Sequence, residues 1–260
     1  MDRLLAIFAR EPRSFCRCLR DAPRSLAVLR REHADGWGVA VHEPQRGWTL
    51  TKEPVSPDED PAFDTVVADA EGSLLIGHVG RAADPLRHRD SLHPLRQGDW
   101  VFAHNDTGAP SDELRATIAA AGSEPIGKTH SEMLLGFFTD RLAARCGALG
   151  SQIITDMVLA RAVGELASLS SLSPATFVLS DGHVLYAYRQ ARPLYFLERR
   201  VREAVDALLF ASEPITTGED WKPVEEGTLI AAWRRPTLGW GVMRESPVSL
   251  VRDGGWRRPS

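Results

Sequence analysis

Three cysteines in 260 residues are too few, and odd in number, to build a disulfide framework. Cys16 and Cys18 make a Cys-x-Cys pair, but no second thiol pair exists to complete a zinc site. Within Ser14-Phe15-Cys16-Arg17-Cys18-Leu19 they read as small, half-buried residues of a helix. No apolar run approaches the roughly 20 residues that a membrane-spanning helix requires. The stretch Met1–Phe8 is too short for a secretory signal and runs straight into Arg10, Glu11 and Pro12. An excess of one charge is missing too: 31 basic against 35 acidic residues give a net charge of -4 and a pI near 6.1. Charges are mixed along the chain, so nothing in the electrostatics calls for nucleic acid as a partner. The expectation is a cytoplasmic protein that binds neither membrane nor nucleic acid.

The chain is 43% hydrophobic, enough at this length to bury a large core. No internal repeat, low-complexity tract or Pro/Gly/Ser-rich linker divides it, which predicts a single domain over 1–260. Apolar patterning predicts strands at Leu4–Ala9, Val39–His42, Trp48–Leu50, Leu74–Val79, Trp100–His104, Ala175–Ser180, Val184–Arg189, Ala207–Ser212 and Gly227–Trp233. Asp181-Gly182 is a hairpin turn between two of them. Helix-type spacing predicts helices over 13–31, from a cap at Ser111, over 131–145 and over 153–166. Thr65–Gly72 fits either state, Asp84–Gly98 reads as an ordered polar loop, and Arg252–Ser260 as a loose end. Strands, then two central helices, then strands again place the chain in the α+β class.

Eight short motifs carry a resemblance when taken in order. They are His33-Ala34-Asp35-Gly36-Trp37-Gly38-Val39-Ala40, Leu75-Ile76-Gly77-His78-Val79, Leu92-His93-Pro94-Leu95, Trp100-Val101-Phe102-Ala103-His104-Asn105, Thr129-His130-Ser131-Glu132, Phe177–Gly182, Leu185–Arg189 and Phe210-Ala211-Ser212-Glu213-Pro214. Each is weak alone, but their order and spacing resemble the class II glutamine amidotransferases. The resemblance implies a four-layer αββα sandwich of the N-terminal-nucleophile hydrolase type. It also implies a site that hydrolyses the side-chain amide of glutamine, with an N-terminal cysteine as nucleophile.

This chain departs from that pattern at four separated positions. Asp2 stands where the resemblance places the cysteine, and aspartate is a weaker nucleophile. Methionine is normally removed only before a small residue, so Met1 is expected to stay and to deny residue 2 the free α-amine that acts as base. The oxyanion hole implied by the family is an Asn-Gly pair; here Asn105 is followed by Asp106, whose carboxylate would repel a developing oxyanion. The arginine that should hold the substrate carboxylate after Gly-His-Val is replaced by Gly80. Arg81 comes one place later, where a strand would turn it to the other face. The aspartate expected to meet the substrate ammonium is His130, which cannot supply negative charge.

Four losses on an otherwise intact scaffold imply a pseudoenzyme, with Asp35, Gly36, Trp37 and Gly38 supporting the pocket wall. The partner is then a protein or a small amino-acid-like ligand, including a cationic one favoured by Asp2 and Asp106, and a homodimer is the default assembly. The rival reading is altered chemistry in the same pocket, with Asp2, Asp106, His130 and His104 as acid/base groups or oxygen/nitrogen metal ligands. His78, His93 and His104 occupy positions where the family carries histidine for structural reasons. Neither a metal nor a cofactor is therefore expected. Trp221, Trp233, Trp240 and Trp256 read as core or sheet cover first, and as interface anchors second.

Overall fold

The computed structural model describes residues 2–29, 36–56, 60–80, 89–105, 112–120, 129–146, 152–168, 175–234 and 236–243. Two antiparallel sheets stack face to face. The first contains β1 (Arg3–Ser14), β2 (Gly36–Glu43), β3 (Gly47–Glu53), β4 (Glu71–Gly80), β9 (Tyr195–Val201), β10 (Ala204–Ala211) and β11 (Lys222–Pro223), in the order β11-β9-β10-β1-β4-β2-β3. The second contains β5 (Leu95–Gln97), β6 (Trp100–Asn105), β7 (Thr176–Ser180), β8 (Val184–Tyr188), β12 (Leu229–Trp233) and β13 (Gly239–Met243), in the order β13-β12-β8-β7-β6-β5. Helices α1 (Leu26–Leu29) and α2 (Pro61–Asp69) cover the first sheet; α3 (Asp112–Ala120), α4 (His130–Cys146) and α5 (Gln152–Ala167) cover the second.

Three separate cores follow from the two-residue period of the strands. On β1, Leu5, Ile7 and Ala9 pack under the helices of the first layer, while Leu4, Ala6 and Phe8 point between the sheets. On β6, Phe102 faces α4 and α5, while Val101 and Ala103 meet the first sheet. Because both faces of these strands are buried, they read as unbroken apolar runs rather than as alternating ones. The result is the αββα sandwich implied by the motifs.

Several local expectations are corrected. The stretch 13–31 does not form one helix: β1 runs on to Ser14, a π-helical turn spans Arg17–Asp21, and α1 occupies Leu26–Leu29. Thr65–Gly72 is split between α2, which Asp60 caps through Ala62 N, and the start of β4. The expected loop 84–98 contains a 3-10 turn at Arg89–Ser91 and the edge strand β5. Strands β9, β11 and β13 were not expected. The Ser111 cap, Asp35, Trp256 and the tail 252–260 lie outside the described residues. Trp221, Trp233 and Trp240 are partly buried, each against a different one of the three cores.

Candidate functional site

The start of β1 is held by the segment after β10. Ser212 Oγ accepts from Leu4 N at 3.2 Å, and Ser212 N donates to Leu4 O at 3.0 Å. Glu213 forms ion pairs with Arg3 at 2.8 Å and with Arg24 at 2.6 Å. The Ala-Ser-Glu stretch therefore positions Asp2, the half-exposed residue that precedes β1. Strand pairing fixes its neighbours. Leu4 lies opposite His78 on β4, His78 opposite Gly38 on β2, and Gly38 opposite Lys52 on β3; one step outward, Gly80 faces Gly36. A β-carbon on Gly80 would stand 2.5 Å from Asp2 Oδ1 and 2.9 Å from His78 Cε1. From the second sheet, Asn105 Nδ2 donates to the main-chain oxygen of Asp2 at 3.4 Å. Asp2, His78, Gly80 and Asn105 thus meet at one end of the space between the sheets.

The wall beside them is a loop laid directly on β2. A β-carbon on Gly36 would meet Leu92 at 2.8 Å, and one on Gly38 would meet the His93 carbonyl oxygen at 2.2 Å. Absence of side chains at 36 and 38 is what lets this backbone approach. Trp37, on the opposite face, packs edge-on against Phe63 and donates from Nε1 to Asp60 at 3.1 Å. Lys52 locks the loop: its ammonium donates to the carbonyls of Asp90, Leu92 and Pro94 at 3.2, 2.9 and 3.3 Å. Burial lowers the affinity of this amine for its proton, opposed by Asp90 and Glu132.

The loop brings the His93 ring to 4.7 Å from the His78 ring, centroid to centroid. Both imidazoles are driven toward the neutral form, first by desolvation. His93 is further repelled by His78, His104 and Lys52, whereas Asp2 and the His104 main chain partly restore His78. His93 as a residue is half-buried, but its Nε2 is sealed, and Nε2 of both rings lacks a hydrogen-bond partner.

His104 and His130 sit elsewhere. Strand parity turns His104 away from Asn105, toward α4, where its Nδ1 is 3.1 Å from Ser131 Oγ and its ring is 5.4 Å from that of His130. Phe102 flanks the same ring at 5.8 Å. His130 opens α4, whose first turn is closed by a reciprocal cap: Thr129 N and Oγ1 donate to Glu132, and Glu132 N donates to Thr129 Oγ1. His104, His130 and Ser131 are all buried.

A sequence profile of the glutamine amidotransferases, class II, matches residues 1–204. The chain belongs to the class II glutamine amidotransferase family. No curated protein matches it in sequence. Among solved structures, the glutamine aminotransferase class-II domain protein of Silicibacter pomeroyi aligns over 94% of this chain and 99% of its own, at 19% identity and a TM-score of 0.62. A predicted glutamine amidotransferase from Pseudomonas aeruginosa aligns over 89% and 97%, at 20% identity and 0.57. Glutamine phosphoribosylpyrophosphate amidotransferase of B. subtilis aligns over 94% of this chain but 49% of its own, at 17% identity and 0.65. At these identities the likeness shows the fold.

Within this amidotransferase fold, the candidate residues separate into two groups. Asp2, Gly80 and Asn105 converge between the sheets, whereas His104 and His130 lie on the helix side of β6. Arg81 and Asp106 fall outside the described residues. Among the described residues no three His, Cys, Asp or Glu side chains come together in a way that could hold a metal ion. Sequence reasoning missed Lys52, the pairing of His78 with His93, and the Ser131–His104 contact. Lys52 had one available signal: it is one of only three lysines in an arginine-rich chain.

Proposed function

We propose that this chain is a single class II amidotransferase-like domain that has lost glutaminase activity and works in the cytoplasm as a binding, scaffold or regulatory pseudoenzyme. The observation that carries the reading is the Asp2 carboxylate packed over Gly80. Residue 2 offers a weak nucleophile, and its side chain fills the space into which an arginine at position 80 would have to project. Asn105 keeps its place beside residue 2, but its amide reaches the Asp2 main chain. His130, in the position of the substrate-ammonium anchor, is buried against His104 instead of supplying a carboxylate.

Altered chemistry shared by Asp2 and His130 gains nothing from this geometry, because Asp2 meets Asn105 between the sheets, whereas His130 packs with His104 on the helix side of β6. The deciding experiment is ammonia release from glutamine by the wild-type protein and by Asp2→Cys, with each N-terminus checked by mass spectrometry. Both are expected to be silent, because residue 2 is only one of four altered positions. Robust turnover by the wild type overturns the reading, and turnover by Asp2→Cys alone confines the loss to residue 2.

A further inference from the structure

We propose that the contact of His42 with the Asp181–His183 turn is an acid-released clasp. It joins the two sheets while the imidazole is neutral and lets go when the ring takes up a proton.

The contact follows from strand parity. His42 on β2 turns the same way as Ala40, into the layer between the sheets. There its ring packs edge-on against Trp48, its cross-strand partner on β3, at 5.1 Å between centroids. From the second sheet, the turn that joins β7 to β8 lies on the same ring. A β-carbon on Gly182, whose φ is +88°, would stand 2.3 Å from His42 Nε2, so only a glycine brings the turn this close. The polar groups of the turn are satisfied within it. Ser180 Oγ donates to Val184 O and accepts from Gly182 N, while Asp181 Oδ1 accepts from His183 N and Val184 N. The turn is thus a self-contained unit that rests on the imidazole by packing. This contact lies at the end of β2 opposite Gly36, so the fate of the Asp2 site does not bear on it.

Nothing in the clasp accommodates a charged ring. His42 is 6% exposed, and its Nδ1 is sealed without a hydrogen-bond partner, as is Nε1 of the neighbouring Trp48. An imidazolium carries two N–H donors, and here one of them would have no acceptor. Four charged or titratable groups face the ring. His183 in the turn, 6.0 Å away between ring centroids, and Arg234 after β12 repel a proton; Asp181 in the turn and Glu43 at the end of β2 attract one. Arg234 is fixed, since its Nε donates to Ala9 O at 3.2 Å and its guanidinium lies 4.7 Å from the centre of the Phe8 ring. Burial dominates, and it lowers the affinity of His42 for a proton below the ordinary value of 6.5. Lifting the turn returns the ring to water and restores that affinity. The closed form therefore binds fewer protons in the window between the two values. The clasp is fully formed above pH 6.5 and weakens as pH falls through the folded value.

The test is an NMR titration of the full chain from about pH 8 to about pH 4.5. It follows the His42 ring, the Trp48 indole N–H and the Gly182 amide. The expected result is a His42 midpoint below 6.5, with the Trp48 and Gly182 signals moving reversibly at that same midpoint. Protection of the Trp48 indole hydrogen from exchange should fall by about tenfold for each unit by which the midpoint is lowered. His183→Gln should raise the midpoint by removing a repelling neighbour. His42→Phe keeps an aromatic ring that gains no proton, and should hold Trp48 and Gly182 still over the whole range. The proposal is overturned if His42 titrates while those two signals stay in place, if it never titrates in this range, or if a folded His42→Phe protein shows the same acid-driven movement. Should His42→Phe fail to fold, the wild-type and His183→Gln titrations decide alone.

Discussion

The carboxylate of Asp2 occupies the room that a side chain on Gly80 would need: Cγ lies 2.7 Å and Oδ1 2.5 Å from the position of the missing β-carbon. Asp2 precedes β1 and Gly80 ends the adjacent strand β4, and the pairing of Arg3 with Val79 brings them together. Gly80 cannot gain a side chain without displacing the Asp2 carboxylate.

This yields a double-mutant cycle. Gly80→Ala should destabilise the protein by about 1–3 kcal/mol through overpacking. In an Asp2→Gly background the same substitution should cost about 1 kcal/mol less, because the clashing group is gone. Denaturant unfolding of the four proteins measures the coupling, and strict additivity would show that the carboxylate readily swings away.

Lys52→Met removes the one cation that holds three loop carbonyls. The expected loss is about 1–3 kcal/mol, since three carbonyls, two of them partly buried, lose their shared donor. The loop should also loosen, so amide hydrogen exchange ought to rise at Leu92 and Leu95. A variant as stable and as protected as wild type would refute the clamp.

Gly38→Ala should be less tolerated than a change of Gly47, where a β-carbon meets nothing within 4 Å, although Gly47 has a positive φ of 76°. At Gly38 the new methyl meets a backbone oxygen at 2.2 Å. An overpacking loss of about 1–3 kcal/mol is expected, together with a shifted His93 resonance. Thermal unfolding and NMR check the two parts.

Asp156 supplies a pH prediction. It accepts hydrogen bonds from Tyr186 at 2.5 Å and Gln152 at 2.6 Å, yet burial dominates and raises its pKa above 3.8. A folded-state value above the unfolded one means the folded protein binds more protons in the window between them. Its contribution is therefore fully present below about pH 4 and is lost as pH rises through the folded value. Asp156→Asn should remove that component of the slope. Urea unfolding of both proteins from about pH 4 to about pH 7 tests it, and identical pH profiles would count against a raised value.

Much of this fold was legible before any coordinates, for reasons visible in single segments. Leu74–Val79 and Trp100–His104 are apolar throughout because both faces of their strands are buried. Gly36 and Gly38 stand in the sequence only as support for the pocket wall; that a loop lies directly on them comes from the structure. Other elements were not legible. Strand β9 carries Glu198, Arg199 and Arg200, whose partners Glu219 and Trp240 come from later in the chain, so its patterning looks like surface. The 13–31 stretch has helical composition, but its first residues pair with Gly72 and Glu71 and are drawn into β1.

By itself the sequence determined the family, through the order and spacing of its motifs, and the α+β class, through strand and helix periodicity, with the four-layer order coming only as what the family resemblance implies. It also placed Asp2, Gly80 and Asn105 on strand ends that could share a site. Only the tertiary structure decided that His104 and His130 belong to a different face, that Lys52 ties the loop, and that the space over Gly80 belongs to Asp2. Those relationships join residues distant in sequence, and contact between side chains depends on which strands pair and which faces meet.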